Sequence, residues 1–245
     1  MPNFFIKNSQ IKDNRIEITG ELLKHLRDSL RIKTGEQIVF IDEAKNRYLA
    51  SVSHIGRDRI TGNIIEKTAL KTHDVSINLV QAIPKGPKFD FIIQKSTELG
   101  VSAITPVISE RCVVKLDRGQ AVEKLKMWRK IALEAAQQSN RADVPEIKTP
   151  VTFNEFLTSY GKVDLKILLW EGEKEHGIKD ILKNTKDVKS VAVVIGPEGG
   201  FSENEVKIAV EKGFTSVSLG ESILRTETAP IVILSIILYE LGLLI

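Results

Sequence analysis

Residues 191–206 read VAVVIGPEGGFSENEV: five apolar residues, then three glycines with a proline and a glutamate among them, then a polar segment. A near-continuous apolar run bounded by turn signals predicts a strand buried on both faces, the kind found in parallel sheets. Gly196, Gly199 and Gly200 imply that the backbone turns sharply after it or that something comes very close to it. Ser202 and Glu205 stand at the spacing of a capping box, which starts a helix. Strand, glycine loop and capped helix together are the arrangement that presents backbone amides to a nucleotide-like ligand.

The loop lacks both standard phosphate signatures, since no GxxxxGK[ST] occurs and GPEGGF does not have the spacing of GxGxxG. Glu198 opposes an anion at a cost on the order of 1 kcal/mol or more at contact in wet surroundings. The expected ligand is adenine-like but neutral or cationic, and S-adenosylmethionine has that chemistry. Glycine-rich strand ends also make ordinary tight turns, which is the competing reading.

Outward from this stretch, strands alternate with helices. VSINLVQAI (75–83), SAITPVIS (102–109), VDLKILLW (163–170), SVAVVIG (190–196) and FTSVSLG (214–220) read as strands. KFDFIIQKSTELG places Phe89, Ile92, Ile93 and Leu99 at helical spacing and stops at Gly100, and residues 121–140 form a long amphipathic helix. This pattern predicts a parallel sheet covered on both faces, with ligands beyond the strands' carboxyl ends. Three strand ends are unusual: LLWEGE (168–173), IGPEGGFS (195–202) and LGESILRTETAP (219–230). In the last, Thr226 or Thr228 precedes Pro230 in the pattern of a first helical turn.

Up to about Thr72 the chain instead shows short alternating runs, RIEITG, EQIVFID, RYLASVSHI and RITGNIIE, which predict a small antiparallel barrel or sheet. Within it, ELLKHLRDSLRIKTGE sets Leu22, Leu23, Leu26 and Leu30 on one helical face and leaves Lys24, Arg27 and Arg31 outside. Residues 1–72 carry thirteen Lys/Arg against nine Asp/Glu, whereas the remainder carries 22 against 23, so the basic excess is N-terminal. Such asymmetry suits a polyanion partner, although surface charge commonly only solvates.

A chain of 245 residues, 42% hydrophobic and 27% charged, has the profile of a globular protein of one or two domains. One cysteine, Cys112, excludes an intramolecular disulfide framework and a multi-cysteine zinc site, and the four histidines offer no HExxH spacing. No metal is expected. Neither is a secretory signal, because the N-terminus lacks a basic segment followed by a long apolar core, and a reducing, cytoplasmic setting fits. APIVILSIILYELGLLI (229–245) is short for a membrane span and contains Glu240, which favours a core or interface helix, with Ile236 as a deeply buried position.

PKGPKFDFIIQKSTELGV, ALEAAQQSNR, IGPEGGFSENEV and LGESILRTETAP, in that order, resemble the RsmE-type 16S rRNA uridine-N3 methyltransferases of the SPOUT superfamily along the whole chain. The resemblance implies a PUA-like RNA-binding β-barrel over residues 1–72 and an α/β SPOUT methyltransferase domain over 73–245. The latter would be a parallel-sheet domain tied in a C-terminal trefoil knot. It further implies a homodimer, S-adenosyl-L-methionine as cofactor, and 16S rRNA in the assembled small ribosomal subunit as partner. Periodicity does not show a knot, and general topology rules argue against one.

By this similarity, Gly196, Pro197, Glu198, Gly199 and Gly200, with Leu219, Gly220, Ile223 and Leu224, form the cofactor loops. Trp170 and Glu171 stand on a neighbouring strand end, and Thr228 and Ala229 follow. Glu198 either faces the ligand's cationic side or simply sits near the positive end of the next helix. Chemistry at uridine N3 requires loss of the imide proton and stabilisation of the charge left on the ring. Arg141 and Arg225 are the candidate guanidiniums, and Glu98 is the candidate proton acceptor, directly or through water. Arg225 equally suits a role in holding its own loop, and Glu98 one as a structural helix-end carboxylate. Gln137, Gln138 and Asn140 are available to the uracil edge; Lys24, Arg27, Arg31, Lys85 and Lys88 are the expected RNA contacts. Competing readings are a ribose 2′-O methyltransferase of the same superfamily, a non-catalytic RNA-binding protein, and a phosphate-binding α/β enzyme.

Overall fold

A computed structural model describes residues 3–70, 74–183 and 187–243. The chain divides into two compact units, Met1–Thr72 with Ala136–Asp143, and His73–Ala135 with Val144–Ile245. The division expected from sequence, between Thr72 and His73, falls at residues 71–73, outside the described residues. Residues 136–143 associate with the first unit, where Lys45 Nζ pairs with Asp143 Oδ2 at 2.9 Å.

The first unit is a six-stranded sheet of β1 (Asn3–Phe5), β2 (Ile11–Lys12), β3 (Arg15–Ile18), β4 (Gln37–Ile41), β5 (Asn46–Ile55) and β6 (Ile60–Ala69), in the order β1-β4-β5-β6-β3-β2. Its pairings are antiparallel except β1 with β4, which is parallel. The expected antiparallel sheet thus holds apart from this one pair, for which the long connection between Phe5 and Gln37 leaves room for the crossover a parallel pair needs. Inward residues at period two, among them Ile16, Ile18, Ile38, Phe40, Ala50 and Val52, make a single core.

The expected basic helix is α1 (Gly20–Lys24) continued by a π-helical turn, His25–Ser29. The wider turn breaks the 3.6-residue phase, so Leu23 and Leu26 are buried while Leu30 is exposed, a correction to the four-leucine face. Arg27 pairs with Asp28 at 2.7 Å and donates to the Arg57 carbonyl at 2.8 Å, whereas Lys24 and Arg31 are exposed.

The second unit contains β7 (Ser76–Ala82), α2 (Lys88–Leu99), β8 (Ala103–Ile108), most of α3 (Arg118–Gln138), β9 (Glu146–Ile147), β10 (Val151–Thr152), α4 (Phe153–Ser159), β11 (Leu165–Leu169), α5 (Ile178–Leu182), β12 (Ser190–Ile195), α6 (Glu203–Glu211), β13 (Thr215–Val217) and α7 (Ala229–Glu240). The sheet is wholly parallel, ordered β10-β8-β7-β12-β11-β13, with β9 also on β8. Each long strand feeds two cores. Val191, Val193 and Ile195 of β12 face α2, α3, α5 and α7, and Ala192 and Val194 face α4 and α6. That is why the strands read as continuous apolar runs.

The helix ends follow local chemistry. Gly100 closes α2 in the left-handed conformation at φ 102°. Ser202 and Glu205 form the capping box of α6, and Pro230 lies in the first turn of α7 behind Thr228. Within α7, Ile233, Leu234, Ile237 and Leu238 are buried. Ile236 is half-buried within the single chain, packed against the edge of the core, because the fully buried face is taken at i, i+1, i+4 and i+5.

Candidate functional site

Because β12, β11 and β13 are parallel neighbours, the loops leaving their carboxyl ends open on one edge of the sheet. They wall a cavity of about 490 Å³, a size suited to a small-molecule ligand. The strand ends supply Leu169, Ile195 and Val217 as an apolar floor. Trp170 and Glu171 follow β11, Gly196–Gly200 follow β12, and Ser218–Thr226 follow β13; Ala229 and Lys88 complete the wall.

Backbone geometry shapes the glycine loop. Gly200 has φ +65° and its N–H donates to the Pro197 carbonyl at 3.0 Å, closing a tight turn. A Cβ on Gly196 would come within 3.3 Å of Gly200 backbone atoms and of the Phe201 ring, so this glycine lets the loop fold on itself. Arg111 Nη1 donates to the Gly199 carbonyl at 2.9 Å from outside. Glu205, buried, accepts from the amides of Ser202 at 3.0 Å and Glu110 at 2.8 Å, which ties the start of α6 to the loop after β8.

The other two walls are pinned to each other. Trp170 N–H donates to Val217 O at 3.1 Å, Ser218 N–H to His176 O at 2.9 Å, and Ser216 Oγ to the Glu173 carboxylate. Gly220, at φ +120°, donates its N–H to Ser218 Oγ. Ile223 projects at 82% exposure on the wall after β13.

Electrostatically the cavity is unsuited to phosphate. Lys88 and Arg225 are its cations, but Lys88 Nζ already lies 2.8 Å from Glu198 Oε1 and 3.6 Å from Glu227 Oε2. Burial pushes the Glu198 carboxyl up, yet hydrogen bonds from Lys88 and from the Lys85 N–H outweigh it and hold the group below its ordinary value. Glu171 and Glu221 add further carboxylates to the wall. Backbone amides and carbonyls, apolar side chains and excess acid make a receptor for a neutral or cationic ligand.

Of the residues expected at the cofactor, Trp170, Glu171, Gly196, Pro197, Glu198, Gly199, Gly200, Leu219, Gly220, Ile223, Leu224 and Ala229 line the cavity. Thr228 does not; it stands at the N-cap position of α7, without a side-chain capping bond. Of the three expected catalytic residues, Arg225 lines the cavity. Arg141 bonds Asp143 Oδ1 at 2.7 Å, and Glu98 accepts from Lys95 at 2.9 Å along α2. Gln137 and Gln138 end α3, and Asn140 lies in the turn that follows, at φ 57°. Lys85 is exposed, and Lys88, expected toward RNA, lies on the cavity wall. Sequence reasoning missed Leu169, Ile195, Val217, Ser218, Glu221, Ser222 and Thr226; reading each strand one or two residues further back from its loop finds Leu169, Ile195, Val217 and Ser218. Among the described residues no cluster of His, Cys, Asp or Glu could hold a metal ion, and no helix is long and apolar enough to cross a membrane.

Comparison with known proteins adds to this geometry. An RNA methyltransferase domain model matches residues 71–238, and an RNA methyltransferase PUA domain model matches residues 18–65. The chain is similar to the ribosomal RNA small subunit methyltransferase E of Bacillus subtilis (strain 168), at 34% identity over 100% of this chain and 98% of the relative. It is similar to the protein of the same name from Aquifex aeolicus (strain VF5), at 36% identity over 89% and 91%. A crystal structure of a ribosomal RNA small subunit methyltransferase E from Neisseria gonorrhoeae, bound to S-adenosyl methionine, aligns with TM-score 0.85 at 29% identity, covering 98% of this chain and 97% of that one.

Proposed function

The chain belongs to the RNA methyltransferase family that includes ribosomal RNA small subunit methyltransferase E, and from that membership we propose that it moves a methyl group from S-adenosyl-L-methionine to N3 of a uridine in 16S rRNA. One observation carries the reading: three loops at the carboxyl ends of adjacent parallel strands enclose a backbone-walled, net-acidic cavity of about 490 Å³. The residues fit the cofactor. Leu219, Leu224 and the strand-end aliphatics offer an apolar slot for a purine, the glycine-loop backbone offers donors and acceptors, and Glu171, Glu198 and Glu221 tolerate a sulfonium. When bound there, S-adenosylmethionine supplies an electrophilic methyl group.

The chain's own residues then have distinct tasks. Arg225 is the proposed first guanidinium, stabilising the negative charge that develops on a uracil ring as its imide proton leaves, a reading supported by its position on the cavity wall. Arg141 is the proposed second guanidinium on the substrate side, and Glu98 the proposed proton acceptor, directly or through water. Gln137, Gln138 and Asn140 are proposed to read the uracil edge.

The reading extends to assembly. The PUA-like first unit, with Lys24, Arg27 and Arg31, is proposed to grip the RNA of the small ribosomal subunit, with Lys85 and Lys88 following from the second unit. The C-terminal segment is proposed to form the trefoil knot of the SPOUT fold, supported by the way Thr226 is bonded back to Gly196. A cytoplasmic homodimer is proposed, supported by the apolar surface that α7 keeps beyond its buried face. The test is to incubate unmodified small subunits with the protein and labelled S-adenosylmethionine, digest the RNA and identify the nucleoside by mass spectrometry. We expect 3-methyluridine; 2′-O-methyluridine would replace the N3 assignment with a ribose one.

A further inference from the structure

Gln81 is the penultimate residue of β7 and has no solvent exposure. Its Nε2 lies 3.0 Å from the Ala82 carbonyl, 3.1 Å from Thr226 Oγ1 and 3.4 Å from the Gly196 carbonyl. Thr226, also buried, donates its hydroxyl to the Gly196 carbonyl at 2.8 Å, which leaves an oxygen lone pair to accept from Gln81. The amide orientation is dictated by chemistry, because the reverse would set Oε1 against two carbonyl oxygens. A relay therefore runs from Gln81 through Thr226 to Gly196. It joins the end of β7 to two walls of the cavity, the glycine loop and the segment after β13.

The other end of the same amide is at odds with a purely stabilising role. Gln81 Oε1 is buried and has no hydrogen-bond partner among the described residues. An orphaned buried acceptor opposes folding, so an apolar side chain of the same length would suit stability better.

We propose that Gln81 is a positioning residue for the transferase reaction: acting through Thr226, it fixes the Gly196 carbonyl and sets the separation of the two loops that receive the cofactor. This rests on the cofactor reading above. It assigns Gln81 no contact with the cofactor, since the side chain lies behind the cavity wall and does not line it. Its effect is on preorganisation, which shows in binding more than in the chemical step.

The test titrates S-adenosylmethionine into the full chain by calorimetry and follows thermal unfolding and steady-state methylation in parallel. Gln81→Met, which keeps the length and removes the donors, is expected to weaken binding about tenfold, the loss of roughly one buried hydrogen bond. KM for the cofactor should rise with kcat at saturation within about twofold of wild type, and the melting temperature should hold or increase. Thr226→Val should reproduce the loss, and Thr226→Ser, which keeps the hydroxyl, should lose clearly less than Thr226→Val. The double variant should be no weaker than the weaker single one, because both cut the same relay. Wild-type affinity in Gln81→Met and Thr226→Val overturns the proposal, as does a loss that Thr226→Ser shares in full or that tracks a fall in melting temperature. Should Gln81→Met not fold, the Thr226→Val and Thr226→Ser pair decides by the same criteria. Failure of the wild-type chain to bind S-adenosylmethionine would instead remove the cofactor reading, a separate outcome seen before any variant is compared.

Discussion

Gly200 is the glycine, among the described residues, at which an added side chain would meet its neighbour most closely. Its φ of +65° disfavours any L side chain by roughly 1–2 kcal/mol. A Cβ there would also collide with the Glu171 carboxylate, which lines the same cavity. Gly200→Ala is therefore expected to lower the melting temperature, at about 2–4 °C per kcal/mol for a chain of this size, and to weaken S-adenosylmethionine binding at least about tenfold by moving Glu171. Calorimetry and thermal unfolding of the variant check both parts, and undiminished affinity would mean that the loop is only a turn. Glu198 carries a pH prediction. Its carboxyl is held below the ordinary 4.5, so the stability it contributes is present above that value and is lost as pH falls through the lower folded-state value. The melting-temperature gap between wild type and Glu198→Gln should stay constant near neutrality and close on acidification below about 4.5, where a widening gap would contradict the Lys88 ion pair. The sequence identifies Glu198 as an obstacle to phosphate, but it does not identify Lys88 as the partner that neutralises the carboxylate.

Among the elements, α7 joins two roles that its composition does not separate. Ile233, Leu234, Ile237 and Leu238 complete the core against the sheet, whereas Ile231, Val232 and Ile236 keep part of their surface outside it and Tyr239 is 72% exposed. An apolar surface beyond what the core uses is expected to meet a second copy of the chain. Ile236→Asp should then shift the protein from dimer to monomer in light scattering while preserving cooperative unfolding, because the side chain is not part of the fully buried face. A monomeric wild-type protein would contradict the interface. Helix ends are the most legible features in the sequence: Gly100, the Ser202–Glu205 box and Pro230 all act within one turn of the residues they serve. The π turn after α1 is not legible, since a one-residue widening leaves the leucine spacing looking helical until Leu30 is found exposed.

At the scale of the molecule, the excess of basic residues over acidic ones is confined to residues 1–72. Lys24 and Arg31 are exposed there, while Arg27 is committed to Asp28 and the Arg57 carbonyl. Reversing Lys24 and Arg31 together to glutamate should flatten the salt dependence of RNA binding, by a slope of about 0.7–0.9 for each phosphate no longer neutralised, and leave cofactor affinity unchanged. An unchanged slope in filter binding across a salt series would place the RNA footprint elsewhere.

Short-range signals in the chain suffice for the parallel α/β character of the second unit, the strand-rich first unit, the glycine loop and most residues of the cavity wall. Each is written locally, as an apolar run, a period of two, or a turn residue beside the strand it ends. Which of these pieces meet is settled only when the sheet assembles. Strand order β7-β12-β11-β13 brings Lys88 to Glu198 across 110 residues and Gln81 to Thr226 across 145. Arg225 and Arg141 read from sequence as guanidiniums of one site; the fold puts Arg225 on the cavity wall and bonds Arg141 to Asp143, neither of which a local pattern records. Periodicity reports which face of an element is buried, and it carries no record of which element covers that face, so partners distant along the chain emerge only from the folded arrangement.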